Sequence, residues 1–240
     1  MSEAAGRFVG KIGIVTGAAQ GIGKAVALRM AREGGTVVLV DRSELVREVT
    51  EQIENDGGQA VAVIADLERY AGATMTVDVA RQRFGKIDIL LNNVGGTIWA
   101  MPYTEYAEHQ IEAEIRRSLF PTLWCCRAVL PVMLSAGGGA IVNVTSIATR
   151  GINRVPYTAA KGGVNAITAC LAFEYAQYGI RVCGVAPAGI DAPPRRIPRS
   201  LGEVSEEEQK WFRQVMEQTV SSALMKRLGT LEEEWQRRQR

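Results

Sequence analysis

Tyr157 and Lys161 stand four residues apart in PYTAAK, residues 156–161. On a helix, that spacing puts a phenol and an ammonium on one face. A free phenol has a pKa of about 10, and a neighbouring positive charge favours its ionised form. Each unit of lowering corresponds to roughly 1.4 kcal/mol, and a few units would make the phenolate a general base near neutral pH. Ser146 lies eleven residues upstream, and its hydroxyl can hold a substrate oxygen. The three together describe removal of a proton from an alcohol. A Tyr-x-x-x-Lys pair by itself is more often a solvated helix face, so the rest of the chain must bring other parts to meet it.

A second set of residues could bind a nucleotide. TGAAQGIG, residues 16–23, supplies Gly17, Gly21 and Gly23, with Gln20 and Ile22 among them. Glycines there let the chain turn tightly and let a pyrophosphate approach the N–H groups at a helix N-terminus. Asp41 closes the next apolar run. A carboxylate in that place accepts both ribose hydroxyls of an adenosine and repels a 2′-phosphate, which favours NAD over NADP. Arg42 follows directly and could hold such a phosphate, so the alternative stays open. Asp66 and Leu67 close the third run, where adenine would lie, and Asn93 and Gly95 of NNVG close the fourth. With no Cys-x-x-Cys and a single histidine, His109, no metal cluster is expected.

These residues need elements to position them. Apolar runs predict strands at 11–17, 36–41, 60–66, 87–93, 140–146 and 180–186. Helices are predicted at 21–34, 43–56, 71–84, about 105–134, and 156–178. Strands that are apolar throughout, each followed by a crossover helix, predict a parallel sheet covered on both faces. Right-handed crossovers make this a single doubly wound α/β domain of Rossmann type over residues 1–240. Ligands bind such sheets at the carboxyl ends of the strands, where Asp41, Asp66, Asn93 and Ser146 lie.

Composition narrows the function classes. The chain has 240 residues, 47% of them hydrophobic, enough for one domain with a core. Lys and Arg number 28 against 26 Asp and Glu, with no sustained basic tract, so neither nucleic-acid nor membrane-surface binding is expected. MSEAAGRFVGK has no apolar stretch of signal-peptide type and no run of 18 apolar residues occurs, so no leader and no membrane span are expected. Cys125, Cys126, Cys170 and Cys183 fit a reducing, cytoplasmic setting.

TGAAQGIG, NNVG, the Ser146–Tyr157–Lys161 set and PAGI at 187–190 occur in an order that resembles the short-chain dehydrogenase/reductase family. The resemblance implies Tyr157 as base, Ser146 as orienter of the substrate oxygen, and Lys161 on the nicotinamide ribose. It also implies Pro187 and Ile190 beside the cofactor, and a homo-oligomer, commonly a tetramer. Three departures stand out. Ser118 occupies the place of an asparagine that holds a relay water in the family. Pro121, three residues on, leaves the Arg117 carbonyl without its helical partner, and that carbonyl and Ser118 could hold the water instead. The Ser146–Tyr157 segment is short, and Ala192 replaces a threonine that contacts the nicotinamide.

The segment after PAGI reads DAPPRRIPRS and clusters Arg195, Arg196 and Arg199; Arg150 and Arg154 lie in the serine–tyrosine loop. Guanidinium forks pair with carboxylates, so a carboxylated substrate is expected, with Ile98 and Trp99 against a flat ring. GTIWA, RRSLFPTLWCC, ATRGINRVPY and APPRRIPR resemble the branch of the family that oxidises cis-dihydrodiol carboxylates of the benzoate and toluate type. That implies NAD-dependent oxidation of a carboxylated cyclohexadiene diol to a catechol with loss of CO2. Another alcohol dehydrogenase or carbonyl reductase, or an inactive NAD-binding protein, are the alternatives. After KRLGT at 226–230 the family continues with a helix and a last strand. Here LEEEWQRRQR follows, so that strand is expected to be missing and a sheet edge exposed.

Overall fold

The computed structural model describes residues 6–199 and 205–231. The charged tail after Leu231 lies outside them. Six parallel strands form one sheet: β1 (Ile12–Thr16), β2 (Thr36–Asp41), β3 (Gln59–Ile64), β4 (Ile89–Asn92), β5 (Gly139–Val144) and β6 (Ile180–Val185). Their order is β3-β2-β1-β4-β5-β6. The chain therefore reverses direction across the sheet between β1 and β4, the place where such sheets open a crevice.

Successive strand side chains point to opposite faces, and both faces are apolar. Ile14, Val38, Val40, Leu90 and Ile141 join one core with α3 (Tyr70–Phe84) and α5 (Phe120–Ser135). Val15, Val37, Leu39 and Leu91 join the other with α1 (Gly21–Arg32) and α2 (Val46–Asn55). On α2 the buried residues are Val46, Val49, Thr50 and Ile53, the single stripe expected of a surface helix. Gly85, at φ +76°, ends α3.

The helix expected over about 105–134 is two helices. A 3-10 turn at Tyr103–Glu105 leads to α4 (Glu108–Ser118), and α5 follows after Leu119. Pro121 lies in the first turn of α5, where its missing N–H does no harm, but it cannot bond back into α4. By length and composition the stretch Glu108–Ser135 could cross a membrane. Here Cys125, Cys126, Val129, Leu130 and Met133 are buried in the core cluster beneath the sheet.

α6 (Val155–Tyr175) leads into β6, the last strand of this sheet among the described residues. Beyond it, β7 (Ile190–Asp191) pairs with β8 (Gly229–Thr230), and between them runs α7 (Glu206–Ser222). Ser205 and Glu208 cap α7 reciprocally.

Candidate active site

The carboxyl ends of the strands border one cleft of about 1470 Å³. Gly17, Gln20, Gly21, Ile22, Asp41, Asp66, Leu67, Asn93 and Gly95 line it, as do Ser146, Tyr157, Lys161, Pro187 and Ile190. Trp99, Arg150, Arg154 and Arg195 line it too. Gly23, Ser118 and Arg196 do not border it, and each has a different reason.

At the β1 end, Gly17 and Gly21 have φ of +64° and +61°, a region glycine enters freely. A side chain on Gly23 would overlap the carbonyl oxygen of Gly17, so this glycine serves the packing of α1 under the turn. No side chain caps α1, which leaves its first N–H groups open to an anion. Asn93 staples the neighbouring strand end to the turn: its Nδ2 donates to the Thr16 and Gly17 carbonyls at 3.1 and 3.2 Å. Asp41 is aimed by backbone, its two oxygens accepting from Ala19 and Ser43 N–H, both at 3.1 Å. Arg42 lies 3.9 Å from Glu68, which also pairs with Arg117. Its charge thus has a carboxylate beside it already. An open helix N-terminus, a side-chain-free turn and a fixed carboxylate at the second strand's tip fit a dinucleotide with an unmodified ribose.

At the β5 end, Ser146 accepts from Ala148 N–H at 3.0 Å, and its hydroxyl favours the ionised form of the Tyr157 phenol. Burial raises the Tyr157 pKa; the Ser146 hydroxyl and the charges of Arg199 and Arg154 oppose that rise. One turn further on, Lys161 is only 4% exposed and donates to the Val144 carbonyl at 2.7 Å. Burial brings its pKa down to about 8. The positive charges that act on the phenol in this structure are those of Arg199 and Arg154, which sequence spacing alone could not show.

Ser118 is fully buried, and its hydroxyl accepts from Gly96 N–H at 3.2 Å. That bond makes it an anchor of the loop after β4 and leaves the hydroxyl's own hydrogen for another partner. Arg196 departs from expectation. Its guanidinium forms a two-pronged pair with Glu48 of α2, at 2.6 and 3.0 Å, and so does not border the cleft. Gln20 holds the same loop: it accepts from Arg196 and Ile197 N–H at 3.1 and 3.2 Å and donates to the Ile197 carbonyl at 3.1 Å.

Two parts of the site escaped the sequence reading. Glu114, fully buried on α4, accepts from Ile98 and Trp99 N–H at 2.6 and 2.9 Å. Burial raises its pKa to about 6, against those two bonds and the charges of Arg199 and Arg117. Its place four residues before Ser118, on the same helix face, was the available signal. The other is α7, whose Phe212, Val215, Met216 and Thr219 roof the cleft. Asn153, at φ +56°, ties the walls together. Its carbonyl accepts from Met101 N–H at 2.8 Å, and its side chain bonds Gln214 of α7 at 2.8 Å.

Residues 11–199 match the family model described as short chain dehydrogenase. The chain belongs to the short-chain dehydrogenase family. It is 56% identical over 228 residues to the 1,6-dihydroxycyclohexa-2,4-diene-1-carboxylate dehydrogenase of Acinetobacter baylyi, across 95% of this chain and 87% of that one. It is 55% identical over 228 residues to the Pseudomonas putida protein of the same name, across 95% and 84%. Among solved structures, a 7 alpha-hydroxysteroid dehydrogenase complexed with NADH and 7-oxo glycochenodeoxycholic acid superposes with a TM-score of 0.81 at 27% identity, covering 98% of this chain and 88% of that one. An NAD+-bound xylitol dehydrogenase gives 0.82 at 27% identity, covering 95% and 90%. Like these relatives, the chain is an oxidoreductase of this family. The family match ends at Arg199, so the roof helix α7 lies beyond it.

Proposed function

We propose that the chain oxidises a cis-dihydrodiol carboxylate, 1,6-dihydroxycyclohexa-2,4-diene-1-carboxylate or a toluate analogue, to a catechol with NAD as oxidant and loss of CO2. One juxtaposition carries this reading: Ser146 and Tyr157 share a cleft with the Asp41-ended dinucleotide turn and with guanidinium groups whose charges act on the phenol. The relatives at 55 and 56% identity are named as dehydrogenases of 1,6-dihydroxycyclohexa-2,4-diene-1-carboxylate.

Ser146 holds the oxygen of the secondary alcohol, and Tyr157, ionised, accepts its proton. Bound NAD supplies the acceptor for the hydride that leaves the same carbon. Lys161, buried beside Gly95, holds the nicotinamide ribose. Asp41 takes the adenosine ribose hydroxyls, and the open turn of α1 takes the pyrophosphate. The new ketone stands β to the carboxylate. When the bond from ring to carboxylate breaks, its electron pair enters the ring, which becomes aromatic. CO2 departs, and the former ketone oxygen recovers the proton from Tyr157. One diol carboxylate and one NAD thus yield one catechol, one CO2 and one NADH, with no proton left over. No separate decarboxylating residue is needed. The free cysteines suit the cytoplasm, where we place the enzyme, as a homo-oligomer of the kind its family resemblance implies.

Tyr157→Phe tests the assignment of the base. Turnover should fall about 100- to 10,000-fold while NADH still binds, as read by nicotinamide fluorescence. A variant within a few-fold of the parent enzyme would remove Tyr157 from that role.

A further inference from the structure

Five arginines were candidates for the substrate side, and the structure separates them. Arg196 is paired with Glu48. Arg150 and Arg195 are exposed at the rim of the cleft. Arg154 and Arg199 differ from these: each lines the cleft, and each has a buried Nε with no hydrogen-bond partner. Neither makes an ion pair among the described residues. Arg154 sits at the N-cap of α6, three residues before Tyr157, and spends one nitrogen on Thr219 Oγ1 at 3.3 Å. The Nε of Arg199 lies 3.1 Å from where a side chain on Gly96 would begin, so Gly96 leaves the room it occupies. Both charges bear on the Tyr157 hydroxyl.

A buried guanidinium with an unused N–H carries a desolvation cost that a bound anion removes. Burial also holds both arginines, like Arg195, below their ordinary pKa, so it is the unpartnered Nε that sets the two apart. Glu114 acts on Arg199 only through space: its Oε1 accepts from two backbone N–H groups and its buried Oε2 makes no hydrogen bond to either arginine.

We propose that Arg154 and Arg199 form the carboxylate subsite, gripping the substrate carboxylate on the ring carbon next to the one oxidised at Tyr157. The proposal rests on the reaction proposed above for the substrate's identity, and on the orphaned guanidinium nitrogens for the subsite itself. It assigns selection for a carboxylated diol to a pair drawn from two different loops. It also explains how the carboxylate comes to lie beside the alcohol: Arg154, at the N-cap, is three residues from Tyr157 in the first turn of α6.

Two readouts test it. The first is the ratio of kcat/KM for the diol carboxylate to that for the same cis-diol without the carboxylate. Arg199→Gln and Arg154→Gln should each lower this ratio at least about 30-fold, as for loss of one partner of a buried charge pair. Arg199→Lys, which keeps the charge but loses the fork, should fall between Gln and wild type. The second readout needs no turnover: calorimetric binding of benzoate to the NADH-loaded protein, which both Gln variants should weaken by a similar factor. Wild type that oxidises the diol while both variants keep the ratio within about threefold would overturn the subsite and leave the reaction standing. Wild type that binds benzoate through these arginines but oxidises no diol carboxylate would uphold the subsite and overturn the reaction.

Discussion

Lys161 and Ser118 meet across Gly95: a side chain begun on that glycine would start 3.3 Å from the lysine Nζ and 3.5 Å from the serine Oγ. Gly95 itself has φ +144°, a conformation other residues adopt only under strain of order 1–3 kcal/mol. The floor of the catalytic end therefore depends on a missing side chain. Gly95→Ala should lower kcat at least about tenfold, because the methyl must displace Lys161 or shift the loop. Steady-state kinetics at saturating NAD would check it, and an unchanged kcat would mean that Lys161 has room the structure does not show.

Glu114 fixes the segment that carries Ile98 and Trp99. Glutamine retains an oxygen to accept those two N–H groups, and alanine does not. Glu114→Ala should raise KM for the diol about tenfold or more, as for loss of a buried charged acceptor, and Glu114→Gln should stay near the parent value. Equal KM for the two variants would show that charge, not the acceptor oxygen, is what matters there.

The buried ammonium of Lys161 makes stability depend on pH in a definite direction. Its folded pKa of about 8 lies below the ordinary 10.5. Between those values the unfolded chain holds a proton that the folded chain has released, so folding stability rises with pH through that window. Lys161→Met lacks the group. The wild type should therefore gain on the variant as pH rises from about 8 toward 10.5, as measured by urea unfolding at stepped pH. Parallel curves would mean that the lysine is not held neutral on folding.

Gln20 ties the arginine-bearing loop to the glycine turn by three hydrogen bonds. Each is worth about 0.5–1.5 kcal/mol, so Gln20→Ala should open the loop more often and speed tryptic cleavage there by about tenfold or more. Peptide mapping of timed digests would locate the cuts at Arg195, Arg196 and Arg199. A digest as slow as the wild type's would show that the loop is held by other contacts.

What could be read from the sequence was what is local. The strands are unbroken apolar runs such as VVLV in β2. The glycine turn and the Ser146, Tyr157, Lys161 spacing are set by neighbours in the chain, so they could be placed at strand and helix ends in advance. Arg196 could not be placed, because its direction is decided by Glu48, on another element, and by Gln20. Lone charges in a loop carry no sign of their partner. Ser118 carried a role inferred from its position, but the bond its hydroxyl makes depends on where Gly96 arrives. Glu114 looked like any acid of a polar helix face until the 97–100 segment folded over it. The break at Leu119 was signalled by Pro121, although a kinked single helix reads the same way.

The central claim is tested most directly by mixing the purified protein with NAD and 1,6-dihydroxycyclohexa-2,4-diene-1-carboxylate, following NADH by absorbance and assaying catechol in the same samples. The account predicts NADH and catechol in equal yield. NADH without catechol would contradict the aromatising loss of CO2, and no NADH from a protein that demonstrably binds NAD would contradict the proposed substrate.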